Sequence, residues 1–385
     1  METYKIFENE HYIEVVYDDA ALAEAMQMTP EDIANAIPVE LFNREPVGDL
    51  KLEAPGADEH GPQEVINMDI SPFNAAGTLI TNYSKYGDYS SSASLLKRPC
   101  LLLTAAHCVC NIDNGNKIFP SSAAFYLQYK NGKYKDKVPI RRFYIPVQHT
   151  SNTDPTFDFA ICVLARQAGD EGNGLEYSVD LPLNQLATTI GYPGIPISDA
   201  KKMMFTKNRV IQHYDSWAVD NGLVAGGSSG GPWVVDGKVI GVNSMGFGGS
   251  TTEVSPRLQN EFNELYQNVI NSLKIKGFKL KNDAGANIRI GAKYKVSGES
   301  VWKKKVIGTS FPLGQSKEFI FADNQIPEGA LVRIYAEPVG AFPWTNPEVT
   351  GGMVFECKYN NSIATYNVNG GMYNLNLDYT GTTTR

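Results

Sequence analysis

The length, charge and cysteine content of the chain exclude a single small domain held together by disulfides. It has 385 residues, a formal net charge of −8 and five cysteines, so we expect more than one domain and no disulfide framework. No apolar run is long enough to span a bilayer, and the N-terminus does not show the basic and apolar pattern of a secretory leader.

Charge divides the chain into three segments. Residues 1–65 carry 16 acidic and three basic side chains, residues 66–275 carry 17 and 18, and residues 276–385 carry nine and 13. The acidity therefore belongs to the first segment, and the modest positive charge of the last gives no case for nucleic-acid binding. We predict an N-terminal extension or prosegment, a central domain and a C-terminal accessory domain with these bounds.

The acidic segment contains three local patterns. The alternation from Tyr4 to Tyr17 predicts a strand. Thr29, followed by Pro30 and by Asp32, is typical of a capped helix start. The acidic stretch from Lys51 to Gln63, which contains proline and glycine, indicates a linker. Two hypotheses follow: an extension packed on the next domain, or an inhibitory or folding-assisting prosegment released by cleavage near the linker.

Two motifs in the middle of the chain place polar residues beside apolar runs. In TAAHC, His107 ends the run Leu101 to Ala106; in DFAICVL, Asp158 precedes the run Phe159 to Leu164. Both runs predict buried strands, so both side chains should lie at strand ends. A neutral imidazole can accept a proton, and a carboxylate can fix its tautomer. The pair suits general base catalysis.

The stretch GGSSGGP, Gly226 to Pro232, supplies a nucleophile candidate. Ser229 is flanked by Gly227 and Gly230, and glycines permit backbone angles closed to other residues. The amides of Gly227 and Ser229 can therefore both face a developing oxyanion. Alone, such a run is more typical of a flexible loop; His107 and Asp158 upstream favour catalysis.

A metal site is a rival interpretation of the HCVC stretch. Its ligands would be Cys100, His107, Cys108 and Cys110. The stretch lacks a second well-spaced ligand pair, so no metal is expected. The remaining histidines belong to no motif and are expected on the surface or in loops: His11, His60, His149 and His213.

The ordered motifs TAAHC, DFA and SGGP resemble those of the trypsin-like serine proteases of the chymotrypsin fold. GYPG, at Gly191 to Gly194, resembles the bacterial glutamyl endopeptidase branch. The similarity spans roughly Ile66 to Leu273. It implies a mostly β fold with a double β-barrel, a protein or peptide substrate, no cofactor and secretion, with a leaderless effector as the alternative. The roles it implies are general base for His107, orienting carboxylate for Asp158, nucleophile for Ser229, and oxyanion hole for Gly227 and Ser229.

Two positions depart from the family pattern. Ser228 stands where digestive members have an aspartate, so activation through an ion pair with a new N-terminus is not expected. Cys108 matches the family cysteine that follows the histidine, but its usual partner position falls near Ala76. That disulfide is therefore absent, and Cys100 and Cys110 remain as alternative partners.

The same resemblance locates the substrate pocket. By alignment, Leu223 and Val224 form its floor or wall, and the strand that pairs with the substrate comprises Asn243, Ser244, Met245 and Gly246. Because no carboxylate stands at position 223, burying a basic side chain there would be costly. The histidine and threonine of the glutamyl branch are also missing near Asn243 and Val224. A medium-sized apolar or small uncharged residue before the scissile bond is expected.

The last third of the chain begins with an expected helix. Apolar residues recur at helical spacing from Pro256 to Leu273, which predicts an amphipathic helix docked on the barrel. Short alternating runs follow, which predict a small all-β sandwich at 276–385. They are NIRIGAKYKV, KEFIFA, ALVRIYAEPV, MVFECKY, ATYNVNG and MYNLNLDY.

The predicted sandwich leaves a binding role open. Lys303 to Lys305 are expected in a solvated turn, while Trp302, Phe342 and Trp344 can stack on a sugar or contact a protein. The alternative function is therefore a catalytically inactive binding protein of the protease fold, whose C-terminal domain binds carbohydrate or protein.

Overall fold

The computed structural model contains two compact units, Met1–Gln267 and Asn268–Arg385. It describes residues 3–39, 42–44, 59–98, 100–113, 115–150, 154–170, 172–179, 183–213, 215–247, 250–339, 349–351, 353–359, 361–372 and 374–383. The mostly β fold class is confirmed. The division into three segments stays a prediction.

The acidic segment is built from short elements. They are β1 (Tyr4–Glu8), β2 (Tyr12–Tyr17), α1 (Asp19–Gln27), α2 (Pro30–Asn35), β3 (Ile37–Pro38), β4 (Phe42–Arg44) and β5 (His60–Glu64). The single strand expected from Tyr4 to Tyr17 is a hairpin. The helix start is confirmed, because the Thr29 side chain accepts from the Asp32 amide and the Asp32 carboxylate from the Thr29 amide.

The predicted linker is only partly described. Its residues 51–58 lie outside the described ranges. The end of the stretch is wrong as a linker, because strand β5 starts at His60 and pairs antiparallel with a strand of the second barrel.

The first barrel is a closed ring of six strands. Ahead of and between them lie two 3₁₀ turns, Phe73–Ala75 and Ala106–Cys108. The strands in this region are β6 (Ala76–Tyr83), β7 (Gly87–Leu95), β8 (Leu101–Thr104), β9 (Asn111–Asp113), β10 (Asn116–Ile118), β11 (Ser122–Leu127), β12 (Asp136–Pro146) and β13 (Ala160–Leu164). The ring runs β12, β11, β6, β7, β8, β13 and closes between β13 and β12. β9 and β10 form a separate hairpin.

The second barrel is made of two sheets. Its strands are β14 (Glu176–Tyr177), β15 (Leu186–Gly191), β16 (Met204–Arg209), β17 (Ile211–His213), β18 (Ser216–Val219), β19 (Pro232–Val235), β20 (Lys238–Val242), β21 (Met245–Phe247) and β22 (Glu253–Pro256). One sheet has the order β14, β20, β19, β15, β16, β5 and the other β17, β18, β22, β21, β4. Trp233, Val219 and Ile240 lie in its apolar core.

The acidic segment is held against the first barrel by basic residues of β12. Strand β2 adds to the edge of β12 in antiparallel register. Arg141 forms an ion pair with Asp19 at 2.9 Å, and Arg142 one with Glu14 at 3.4 Å. Lys137 Nζ donates to the Met26 carbonyl at 2.7 Å, near the end of α1. The negative charge of this segment therefore has a partner on the barrel.

The predicted amphipathic helix is shorter than its apolar pattern. Pro256 ends strand β22, and α3 runs over Asn260–Ser272. Phe262 is fully buried, with its ring centroid 5.5 Å from that of Phe159 and 5.0 Å from that of Tyr177. The part of the helix that belongs to the first unit therefore packs an apolar side chain on that unit.

The strands of the second unit form one connected network, and their arrangement as a sandwich stays a prediction. They are β23 (Lys274–Asn282), β24 (Ile288–Lys295), β25 (Lys303–Val306), β26 (Ser316–Ile320), β27 (Leu331–Pro338), β28 (Val349–Thr350), β29 (Phe355–Cys357), β30 (Ser362–Asn369) and β31 (Asn376–Thr383). Each of the six predicted runs contains a strand or part of one. Among the described residues, no helix is long and apolar enough to cross a membrane.

The structure corrects one prediction for the second unit and gives a contact for Trp302. The turn expected at Lys303 to Lys305 is wrong, because these residues belong to β25, which pairs with β24. Trp302 stacks against the Arg333 guanidinium, which lies 4.4 Å from its ring centroid. Phe342 and Trp344 lie outside the described residues.

Candidate active site

His107 lies in the 3₁₀ turn that follows strand β8, and its side chain is buried. Its backbone amide donates to Asp158 Oδ1 at 2.9 Å, and its ring Nδ1 donates to Asp158 Oδ2 at 2.6 Å. Two bonds to one carboxylate fix the orientation of the ring. Burial is the largest influence on the pKa of His107 and lowers it, but the charge and hydrogen bond of Asp158, together with the influence of Cys108, raise it overall.

Asp158 lies two residues before strand β13 and is buried at the centre of a hydrogen-bond network. Besides the two bonds from His107, Asp158 Oδ2 accepts one from the Ser244 hydroxyl at 2.6 Å. Burial raises the pKa of this carboxyl, but the charge and hydrogen bond of His107 and the Ser244 bond bring it down to about 2. Asp158 is therefore ionised across the working pH range of most enzymes.

Ser229 lies in a turn that only glycine neighbours permit. Gly227 and Gly230 have φ values of +91° and +83°, which side chains rarely adopt. Space is also limiting, because a Cβ on Gly227 would come 2.5 Å from the Tyr192 carbonyl. The Ser92 amide donates to the Ser229 carbonyl at 2.7 Å, and the Ser92 hydroxyl to the Gly227 carbonyl at 2.8 Å. The nucleophile turn is thus fixed from both sides.

The same turn packs on the strand end that leads to His107. A Cβ on Gly230 would meet Thr104 Oγ1 at 2.0 Å and the Ala105 amide nitrogen at 3.0 Å. The chain therefore brings the Ser229 turn against β8 and the residue after it, two positions before His107.

The Val39 carbonyl binds the Gly227 amide, one of the two donors predicted for an oxyanion. It accepts a hydrogen bond from the Gly227 amide at 2.8 Å, and the Ser229 hydroxyl donates to it at 3.5 Å. The Val39 amide in turn donates to the Ser90 carbonyl at 2.7 Å. Part of the acidic segment thus contacts Ser229, the candidate nucleophile. The two residues are 190 positions apart, and sequence patterns did not predict the contact.

The predicted substrate-pairing strand contacts this same segment. Met245 and Gly246 of β21 pair in parallel with Phe42 and Asn43 of β4. Ser244 points to Asp158. The buried Asn243 side chain accepts from Trp233 Nε1 at 2.6 Å and donates to the Ser228 carbonyl at 2.9 Å, so it stabilises the turn.

Ser228 explains how the pocket loop is ordered without an aspartate. Its buried hydroxyl lies 2.6 Å from the Leu223 carbonyl and 2.8 Å from the Ala225 carbonyl. Leu223 is fully buried and Val224 half-buried. The loop therefore closes on itself through a neutral side chain.

The other sequence candidates contribute no further chemistry. None of the five cysteines, all in described parts of the chain, forms a disulfide, so Cys108 is not joined to Cys100 or Cys110. Groups of three or more metal-ligating side chains are absent from the described residues. His149 lies in a loop, as predicted, but it is buried there, and burial lowers its pKa.

Glu253 was missed by the sequence patterns. It is fully buried on β22, and its Oε2 accepts from the Leu223 amide at 3.0 Å. Burial raises its pKa to about 8, although the Leu223 amide acts in the opposite direction. The signal available in sequence was a lone glutamate in the run TTEVSP, which has no spacing relation to the pocket loop.

Comparison with known proteins identifies the class that this fold and site define. A family model described as Trypsin matches residues 71–270, which is more than half of the chain. The chain therefore belongs to the trypsin family of serine proteases, as the ordered motifs predicted. A search of curated proteins found no match.

Three solved structures illustrate the similarity. Protease Anisep from Arthrobacter nicotinovorans is 20% identical, with 54% of this chain and 98% of that chain covered and a TM-score of 0.45. The thermostable serine protease AL20, from an extremophilic microorganism, is 19% identical, with 51% of this chain and 96% of that chain covered and a TM-score of 0.46. A Glu endopeptidase in complex with MPD is 18% identical, with 55% of this chain and 97% of that chain covered and a TM-score of 0.47.

Proposed function

We propose that the chain is a serine endopeptidase that cleaves peptide bonds through His107, Asp158 and Ser229 and an acyl-enzyme intermediate. The observation that carries the proposal is the pair of hydrogen bonds from His107 to Asp158, at 2.9 and 2.6 Å. Such a carboxylate holds the imidazole in the tautomer whose second nitrogen can accept a proton. Family membership supports a protein or peptide substrate.

The proposed reaction proceeds in two halves. Ser229 Oγ attacks the scissile carbonyl carbon while His107 takes the hydroxyl proton, and the negative charge of Asp158 stabilises the resulting imidazolium. The amides of Gly227 and Ser229 donate to the oxyanion. Collapse breaks the carbon–nitrogen bond, and His107 returns the proton to the leaving amine. Water then attacks the acyl-enzyme carbonyl while His107 again accepts a proton. Collapse breaks the ester bond, His107 returns the proton to Ser229 Oγ, and the acid product leaves.

Labelling with a fluorophosphonate tests this proposal. We expect the probe to modify wild-type protein at Ser229 and to leave Ser229→Ala unmodified, with Ser228→Ala as the matched control because its hydroxyl serves the pocket loop. Absence of Ser229-dependent labelling, after proteolytic removal of the acidic segment, would overturn the assignment. Secretion, which is frequent in this family, belongs to the same proposal, and detection of the chain in culture medium tests it.

The N-terminal segment is proposed as an inhibitory prosegment. Its Val39 carbonyl accepts the Gly227 amide that the oxyanion needs, and it lies 3.5 Å from the nucleophile. Strand β4 holds the edge of β21, which the resemblance assigns to the substrate. A peptide substrate would have to displace both contacts. The segment would therefore keep the enzyme inactive until it is displaced, without the ion pair to a new N-terminus that Ser228 cannot form.

Two matched substitutions in β3 test the inhibition. The ring of Pro38 lies against Gly227 and Gly194, where a Cβ would approach it within 3.5 Å, whereas Ile37 is half-exposed. We expect Pro38→Asp to raise the rate of Ser229 labelling ~10-fold by increasing the fraction of open protein, and Ile37→Asp to leave it unchanged. Equal rates in Pro38→Asp and wild type, with unchanged thermal unfolding, would contradict an inhibitory role.

A further inference from the structure

The substrate pocket, as the family resemblance locates it, lies between the loop that contains Leu223 and Val224 and the strand that contains Gly246. The two are in contact, because a Cβ on Gly246 would come 2.3 Å from Val224 Cγ1. Glu253 joins them: it is the register partner of Gly246 in β22, and its side chain reaches the Leu223 amide.

The loop makes room for this carboxylate. A Cβ on Gly222 would come 2.4 Å from Glu253 Cβ and 2.7 Å from Glu253 Oε2. The absence of a side chain at Gly222 therefore allows Glu253 to lie beneath the loop. Without that glycine, the carboxylate and the Leu223 amide could not approach to 3.0 Å.

Half of this carboxyl group has no hydrogen bond. Oε2 accepts from Leu223, whereas the buried Oε1 has no hydrogen-bond partner among the described residues. A buried oxygen without a partner is costly, and a bound water, an ion or a ligand can supply the missing partner. When Glu253 is ionised, the group missing at Oε1 is a hydrogen-bond donor, and the most favourable donor for a carboxylate is a cation.

We infer that Glu253 is a specificity-determining residue at the base of the primary pocket, where its carboxylate binds the ammonium or guanidinium group of a lysine or arginine before the scissile bond. The inference rests on the proposed endopeptidase function. It reverses the expectation of an uncharged residue at this position. That expectation assumed that the missing carboxylate at Leu223 left the pocket without a counter-charge.

The preference should depend on pH. With a pKa of about 8, Glu253 is largely protonated in the empty pocket at neutral pH. The groups that face it are not titratable: Val219 and Gly246 pair with it on either side, and Gly222 and Leu223 cover it. A cation that binds favours the ionised form and lowers the pKa. Affinity for a basic side chain therefore rises as the pH is raised through about 8.

A pair of matched inhibitors tests the assignment. Peptidyl phosphonates with lysine or norleucine before the reactive phosphorus differ only in the ammonium group. For each, the rate of Ser229 labelling is measured on the Pro38→Asp background and on wild type from which the acidic segment has been cleaved. We expect the lysine-to-norleucine ratio to fall ~100-fold in Glu253→Gln and to be kept in Asp236→Asn, which removes an exposed acid of the same barrel.

The remaining outcomes separate this inference from its premise. If Ser229 reacts with neither phosphonate nor fluorophosphonate, the endopeptidase proposal fails. If Ser229 reacts but the ratio is the same in Glu253→Gln, or shows no rise in wild type between pH 7 and pH 9, Glu253 does not set specificity. Should Glu253→Gln fold poorly, Glu253→Asp provides the second variant: it keeps the charge, and its ratio must exceed that of Glu253→Gln in the protein that still labels.

Discussion

The proposed catalytic centre and the proposed substrate pocket each contain one buried carboxyl group, and the two groups differ in charge. Asp158 accepts three hydrogen bonds, two from His107 and one from Ser244, and its pKa falls to about 2. Glu253 accepts one, from the Leu223 amide, and its pKa rises to about 8. Burial is the largest influence on both. The number and charge of the donors decide which acid is ionised at neutral pH.

This difference corresponds to two roles. A carboxylate that orients a base must be ionised before substrate arrives, so its donors belong to the protein. A carboxyl that recognises a cation gains selectivity if the substrate supplies the missing partner. The molecule thus contains one acid that is completed by folding and one whose completion we assign to the substrate.

The largest effect on activity is expected at Asp158, whose hydrogen-bond donors all belong to the protein. Asp158→Asn removes the charge that stabilises the imidazolium and offers an amide donor to His107 Nδ1, so kcat/KM should fall ~10⁴-fold with little change in fold. Steady-state kinetics on a peptide substrate measure it. Asp154→Asn, an exposed acid in the preceding loop, is the control and should be close to wild type. A loss below ~100-fold would show that the orienting role is minor.

Glu253 and Asp158 should affect the free energy of unfolding in opposite directions as pH rises, because the pKa of Glu253 is raised and that of Asp158 is lowered. Glu253 has a folded pKa of about 8 against an ordinary value of 4.5, so the folded state binds an extra proton between these limits. The free energy of unfolding should therefore fall as pH rises through this window, by a few kcal/mol in total. Glu253→Gln removes this dependence. Denaturant titrations at pH 5 and pH 9 measure it: the variant should gain stability relative to wild type at pH 9.

The smallest effect is expected from one donor of the completed carboxylate. Ser244→Ala removes the 2.6 Å bond to Asp158, which should destabilise the fold by about 2 kcal/mol and reduce kcat/KM ~10-fold. Ser244→Thr, which keeps a hydroxyl, should recover most of both. Because a depressed pKa stabilises only above the titration range, the stability difference should shrink as pH falls from about 4 towards 2. A difference independent of pH would assign the loss to packing.

The sequence predicted the parts of the site that local motifs encode. His107, Asp158 and Ser229 each lie where a buried strand meets a turn, and that position follows from apolar runs and glycines within a few residues. The capped start of α2 at Thr29 was equally local. These features depend on backbone preferences and burial over one or two turns of chain.

The remainder of the site depends on contacts between distant residues. Glu253 contacts Leu223 only because β22 pairs with β21 in one register. Val39 and Gly227 are hydrogen-bonded, although all strands of the first barrel lie between them in the sequence. Neither contact has a spacing rule. The lysines of β25 were mistaken for a turn because edge strands accept charged side chains that local propensity assigns to loops.

The pairing of β2 with β12 changes what a single cut in residues 45–58 would achieve. Such a cut leaves the hairpin of β1 and β2 hydrogen-bonded to the barrel edge and Arg141 paired with Asp19. The cut segment would stay bound to the barrel through this hairpin. Its residues near Ser229 would then have an effective concentration far above that of any free peptide. Activation would then be a competition between substrate and a local ligand, and its extent would depend on substrate concentration.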